Sequence, residues 1–229
     1  MATDPNLAHL EAAAEALGPL LDDLCLVGGC AAGLLITDPG ADPVRPTLDV
    51  DLIVEVTGYI PYRGFCEKLI ERGFEQPIGN DVPLCRFTRD PVCVDIMPLD
   101  EQVLGFGNPW YRSAFTSRAT YRLPRGATLH HIDAPHFLAT KLAAYEGRGN
   151  NRPVESQDLE DLIRVVDGRP DLAEEMAASS LKLRRYVARV LSAVTRNEHF
   201  NEALPTYFED GTERAPIVFQ RIEALCGAG

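Results

Sequence analysis

Positive charge is what this chain of 229 residues is short of: 22 Lys and Arg stand against 34 Asp and Glu, a formal net charge of -12. That balance excludes indiscriminate attachment to nucleic acid or to an anionic membrane, because both depend on a positive field. Any polyanionic ligand has to be met locally. Long apolar runs are also missing. The longest nearly uncharged one reaches only from Leu24 to Ile36, too short to span a bilayer. Residues 1–17 carry Asp4, Glu11 and Glu15 with no Lys or Arg, which is not the positive start of a secretory signal, so the expected location is the cytoplasm. The cysteines form no CxxC pair and no Cys/His cluster has zinc-finger spacing. Buried free thiols are the expectation. No internal repeat is visible.

The chain does have the composition of an ordinary globular protein, 45% apolar and 24% charged, and is long enough for one sizeable core or two small ones. Asp4-Pro5 opens a helix with Leu7, Leu10, Ala14 and Leu17 on one stripe and Gly18 as its stop. Leu24 to Val27 reads as a short buried strand, broken by Gly28-Gly29 and followed by helix from Cys30 to Ile36. The proline-rich segment from Thr37 to Thr47 reads as an exposed loop, and Leu48 to Val56 as a strand. A helix from Tyr62 to Arg72 follows. Leu84–Thr88 and Val92–Met97 form a hairpin about Arg89-Asp90-Pro91. Residues 101–132 give no clear pattern. Beyond them the periodicity is helical, over 135–148, 156–167, 171–179, 181–195 and 213–225. The expected architecture is therefore α/β (α+β), a mixed sheet with flanking helices over 1–130, followed by a helical domain over 131–229.

Chemistry concentrates in the first half. In Asp49-Val50-Asp51 the period of a strand aims both carboxylates, with Ile53, at one side, and Val50, Leu52, Val54 and Val56 at the other. Two like charges so close repel, and a site that keeps both ionised usually supplies a hard cation such as Mg²⁺ or Mn²⁺. Alone, such a pair is more readily the solvated face of an edge strand. Asp95 adds weight because it interrupts the apolar run Val92-Cys93-Val94-Asp95-Ile96-Met97, where an unpaired carboxylate carries a desolvation cost. Three carboxylates around divalent metal suit phosphoryl or nucleotidyl transfer. Gly28-Gly29, between strand and helix, lets backbone N–H groups approach a phosphate at a helix N-terminus.

Taken together, Gly28-Gly29, then Arg45-x-Thr47-x-Asp49-x-Asp51, then Asp95, resemble the signature of polymerase-β-like nucleotidyltransferases, and within them the AbiEii-type branch, which includes toxins of abortive-infection and toxin–antitoxin systems. The likeness covers roughly residues 20–167. It implies an NTP substrate, Mg²⁺ (or Mn²⁺) on Asp49, Asp51 and Asp95, phosphates bound near Gly28, Gly29 and Cys30, and Lys141 and Asp158 completing the nucleotide site. It also implies an acceptor such as tRNA and a possible antitoxin partner. One departure is Cys30, where family members commonly place Ser or Thr, and a thiol is the poorer phosphate donor.

The remaining residues carry two readings each. Arg45 suits a phosphate or a carboxylate, and Thr47 can orient Asp49 or Asp51. Lys141 sits in the apolar stripe of Leu138, Leu142 and Tyr145, so it either snorkels or meets an anion. Asp158 and Asp161 share a helix face, and Asp161 alternatively serves as a cap or ion-pair partner. Lys182, Arg185 and Arg189 with Arg196 make one basic helix face, the best local candidate for RNA on an acidic chain, with a solvated face as the alternative. His130, His131 and His136 have no partner at metal spacing and read as structural. Two rival functions remain: nucleotidyl transfer to an antibiotic-like small molecule, and a non-catalytic nucleotide-binding or regulatory module that keeps the fold.

Overall fold

Alternating apolar residues build the sheet, and where the alternation meets a glycine or proline the chain turns. The computed structural model describes residues 4–80, 82–148, 153–208 and 211–227. In chain order the elements are α1 (Leu7–Leu17), β1 (Leu24–Leu26), α2 (Gly28–Leu35), β2 (Val50–Val54), α3 (Tyr59–Glu71), β3 (Arg86–Arg89) and β4 (Val92–Pro98). Then come α4 (Tyr111–Thr116), β5 (Ala119–Arg122), β6 (Thr128–His131), α5 (Ala134–Gly147), α6 (Gln157–Gly168), α7 (Leu172–Ala178), α8 (Leu181–Thr195), α9 (Glu198–Ala203) and α10 (Gly211–Gly227). The class is mixed α/β. Among the described residues no helix is long and apolar enough to cross a membrane.

The chain divides into two compact units. One comprises Asp4–Leu34 and Arg45–Asp133 and holds the whole sheet, with strand order β3-β4-β2-β1-β6-β5. β4 runs parallel to β2 and β6 parallel to β1, whereas β3–β4, β1–β2 and β5–β6 are antiparallel. β2 and β4 are thus interior strands, each paired on both sides. Their inward alternates, Val50, Leu52 and Val54 with Val94 and Ile96, are buried, as is Phe87 of β3. Helix α1 packs on β2 and β4. It starts three residues after Asp4, with Asn6 at its N-cap, and stops where Gly18 takes a positive φ of 52°.

The other unit comprises Leu35–Val44 and the chain from Ala134 onward, and there every element is helical. The segment expected as an exposed loop is irregular and lies largely at the surface, with Pro39, Pro43 and Pro46 exposed, and it is tied down at a few points. Thr37 and Asp38 donate their N–H groups to the Gly168 carbonyl at 2.8 and 2.9 Å, Arg164 pairs with Asp42 at 2.9 Å, and Val44 is buried. Its prolines forbid regular structure. Strand β2 is shorter than the run Leu48–Val56, because Leu48 stands 90% exposed and Asp49 lies just ahead of the first ladder pair. The 101–132 region resolves into α4 and the β5–β6 hairpin, and α9 has no counterpart in the periodicity.

Candidate active site

The sheet gathers the expected carboxylates. The parallel register of β2 and β4 places Asp51 beside Asp95, and residues opposite one another in a ladder project to the same face. Asp49, two residues ahead of Asp51, follows to that face. Asp95 is only 7% exposed and stands on an interior strand, so it is not a solvated charge on a sheet edge. Asp49 keeps a third of its side chain in solvent. The face is buried at Asp95 and open at Asp49.

Arg86 is not among the residues expected from sequence, and it organises the group. β3 pairs antiparallel with β4 so that Arg86 lies opposite Asp95. Its Nε donates to Asp95 Oδ1 at 2.8 Å and its Nη2 to Asp95 Oδ2 at 2.8 Å, a two-pronged pairing, while the same Nη2 donates to Asp49 Oδ2 at 2.5 Å. The Asp95 hydrogen bonds, aided by the charges of Asp95 and Asp49, raise the guanidinium pKa still further above its ordinary value against the effect of burial. At such a spacing two carboxylates would repel by about 3 kcal/mol at an effective dielectric near 20, and Arg86 offsets that. A signal for it is present in the sequence: outward from the tight turn at Asp90-Pro91, Arg89 meets Val92, and three steps further Arg86 meets Asp95.

Gly28 does have a special backbone, with φ of 66° at the first position of α2. What lies against it is the Asp51 side chain. A Cβ at Gly28 would overlap the Asp51 carboxylate, and the Val27 N–H donates to the Asp51 carbonyl at 2.9 Å. The glycine thus admits a carboxylate to the start of a helix, where the macrodipole favours negative charge. Gly29 is buried in the first turn.

The chain before β2 is fixed by a second residue that sequence reasoning passes over. Asn6 is 1% exposed; its Oδ1 accepts from the Thr47 N–H at 2.8 Å and from Thr47 Oγ1 at 3.3 Å, and its Nδ2 donates to the Arg45 carbonyl at 3.1 Å. The amide stands in for a strand edge. Thr47 Oγ1 also lies 2.7 Å from Cys30 Sγ, and Cys30 donates to the Asp49 carbonyl at 3.4 Å. Cys30 is fully buried, and burial pushes its thiol up to about 12. It holds the Asp49 backbone as a neutral thiol. Arg45 is half-buried, and Asp4, tucked against Gly33, has its carboxyl pKa raised by burial.

The other expected residues lie in the helical unit and find one another. Lys141 of α5, 7% exposed, donates to Asp161 at 2.7 Å and to Asp158 at 3.3 Å on α6, and Arg148 reaches Asp158 Oδ2 at 2.7 Å. Of the two readings of Lys141, the structure has the paired one, with carboxylates as the anions. Lys182, Arg185, Arg189 and Arg196 all lie on α8 or at its C-cap, away from the buried Leu183, Val187, Val190 and Val194, and Arg189 pairs with Glu146 at 3.2 Å.

By chemistry the donor set fits a hard divalent cation: three carboxylates on one face, two of them paired to one guanidinium. As the side chains stand, two of the three are turned to Arg86, and among the described residues no group of three or more His, Cys, Asp or Glu is gathered to hold a metal. In comparisons with known proteins, no family model and no curated protein matches this chain.

Proposed function

We propose that the sheet face carrying Asp49, Asp51 and Asp95 is the active site of a metal-dependent nucleotidyltransferase. The observation that carries this reading is the in-register pair Asp51 and Asp95 on interior strands β2 and β4, with Asp49 beside them and Gly28 opening the start of α2. Asp49, Asp51 and Asp95 would hold Mg²⁺ or Mn²⁺, which supplies charge neutralisation at an NTP and polarises its α-phosphate. On the resemblance, the backbone N–H groups at Gly28 and Gly29 would bind phosphate oxygens beside the Asp51 carboxylate. Asn6, Thr47 and Cys30 fix the backbone that presents Asp49. An acceptor hydroxyl forms a new O–P bond at the α-phosphorus, Asp95 takes its proton, and the bond to the bridging oxygen breaks to release pyrophosphate.

The proposed acceptor is RNA, tRNA in particular, met through Lys182, Arg185 and Arg189 on an otherwise acidic molecule; toxin-like activity and an antitoxin partner in the cytoplasm follow from the resemblance alone. A small-molecule acceptor uses the same chemistry. Lys141 and Asp158 belong to this proposal on the same resemblance. A specific observation favours the non-catalytic reading: Arg86 already supplies a cation to Asp49 and Asp95. Transfer of label from each α-labelled NTP, with Mg²⁺, to total tRNA, total protein or an aminoglycoside separates these. The proposal expects label in one acceptor pool with wild type and a loss of at least about 100-fold in Asp49→Ala. No label in any pool, or an undiminished Asp49→Ala, removes it.

A further inference from the structure

Resting on the metal-site reading above, we propose that Arg86 is the resident counter-ion of the Asp49–Asp95 pair, displaced by the divalent ion and then bound to a phosphate of the nucleotide. The placement is imposed by the backbone. Register in the β3–β4 ladder delivers Arg86 to the carboxylate face, and a single nitrogen, Nη2, touches both Asp49 Oδ2 and Asp95 Oδ2. That nitrogen occupies the place where the two carboxylates converge. A divalent ion binding both would take those same oxygens at about 2.1 Å, which they cannot offer while sharing one donor.

The exchange has a direction. A doubly charged ion brings the carboxylates more positive charge than the guanidinium it replaces, so they lose nothing in the exchange. The guanidinium, by contrast, loses both its partners. About a quarter of the side chain is already in solvent, and its planar fork matches phosphate oxygens as well as it matches a carboxylate. A triphosphate arriving with the metal provides the new partner. Metal alone therefore binds against the clamp and metal with nucleotide binds with its help, which makes the two ligands mutually reinforcing. Arg86 is in these terms a positioning residue in the free protein and a phosphate ligand in the loaded one.

Two affinities measured by calorimetry test this: Mn²⁺ alone, and Mn²⁺ with an α,β-methylene NTP that cannot react. In Arg86→Gln the proposal expects Mn²⁺ alone to bind about tenfold tighter than in wild type, and the Mn²⁺-saturated protein to bind the nucleotide analogue about tenfold weaker. Arg86→Lys keeps the charge without the fork and should fall between, and it carries the test if Arg86→Gln does not fold by circular dichroism. Wild type and variant binding Mn²⁺ equally would overturn the role of Arg86 while leaving the metal site standing. No Mn²⁺ binding by either at millimolar concentration would overturn the metal site and this inference together.

Discussion

Gly28 carries two constraints at one atom. Its φ of 66° is a conformation an L side chain adopts only with strain, and a Cβ there would overlap the Asp51 carboxylate. Gly28→Ala should cost about 2 kcal/mol or more in urea unfolding and abolish transfer, since the methyl group can be admitted only by moving Asp51. Gly64, inside α3 with nothing within 4 Å of the place a Cβ would take, provides the contrast: Gly64→Ala should gain about 0.5–1 kcal/mol with transfer intact. Equal effects at both sites would show that Gly28 is only a turn. In the sequence the glycine pair suggests a phosphate, and the close approach of a carboxylate is invisible there because Asp51 comes to Gly28 through strand pairing between distant segments. Cys30 reads in sequence as a weakened phosphate donor, and its contacts with Thr47 and the Asp49 carbonyl give it a different part, which no spacing rule reveals.

Periodicity is enough to find most elements of the fold and to sort their faces. The alternation Val50, Leu52, Val54 against Asp49, Asp51 names the two sides, and the apolar interruption at Asp95 names the third carboxylate. Register is beyond it, since which strand lies beside which depends on the folded whole. The exception is the β3–β4 hairpin, where a tight turn fixes register locally and Arg86 is legible by counting outward. In the helices, Lys141 on α5 against Asp158 and Asp161 on α6 is a buried ion group, and removing one member leaves uncompensated charge. Lys141→Met should cost about 3–5 kcal/mol in urea unfolding, and Lys141→Met with Asp158→Asn and Asp161→Leu should recover most of it. A loss under about 1 kcal/mol in the single variant would mean that the lysine is not structurally needed and would shift its role toward substrate. Element α9 and the tethers of the loop over 37–44 escape sequence reasoning because polar and proline-rich stretches owe their order to partners, among them Arg164 and the Gly168 carbonyl.

At the scale of the molecule, the buried thiols and the acidic surface set how stability depends on pH. Burial pushes Cys25, Cys30 and Cys85 from an ordinary 9.0 up to about 12. In the unfolded chain these thiols ionise near 9, whereas in the folded protein they keep their protons, so the folded state binds more protons above that pH. Their contribution to stability is therefore complete below about pH 9 and is lost as pH rises toward 12. The urea midpoint should fall steadily between about pH 9 and 12, and Cys30→Ala should fall less steeply than wild type; parallel slopes would contradict the assignment. The acidic surface makes a second point, because a chain with a net charge of -12 could meet a triphosphate only through local groups, and on the proposed reading these would be the Gly28 turn, a metal on the carboxylates and Arg86. The most direct measurement is the phosphate product released when the protein turns over NTP with Mg²⁺ and total tRNA. Pyrophosphate in step with NMP incorporation, absent from Asp49→Ala, is the predicted result; orthophosphate, or pyrophosphate undiminished in Asp49→Ala, would contradict it.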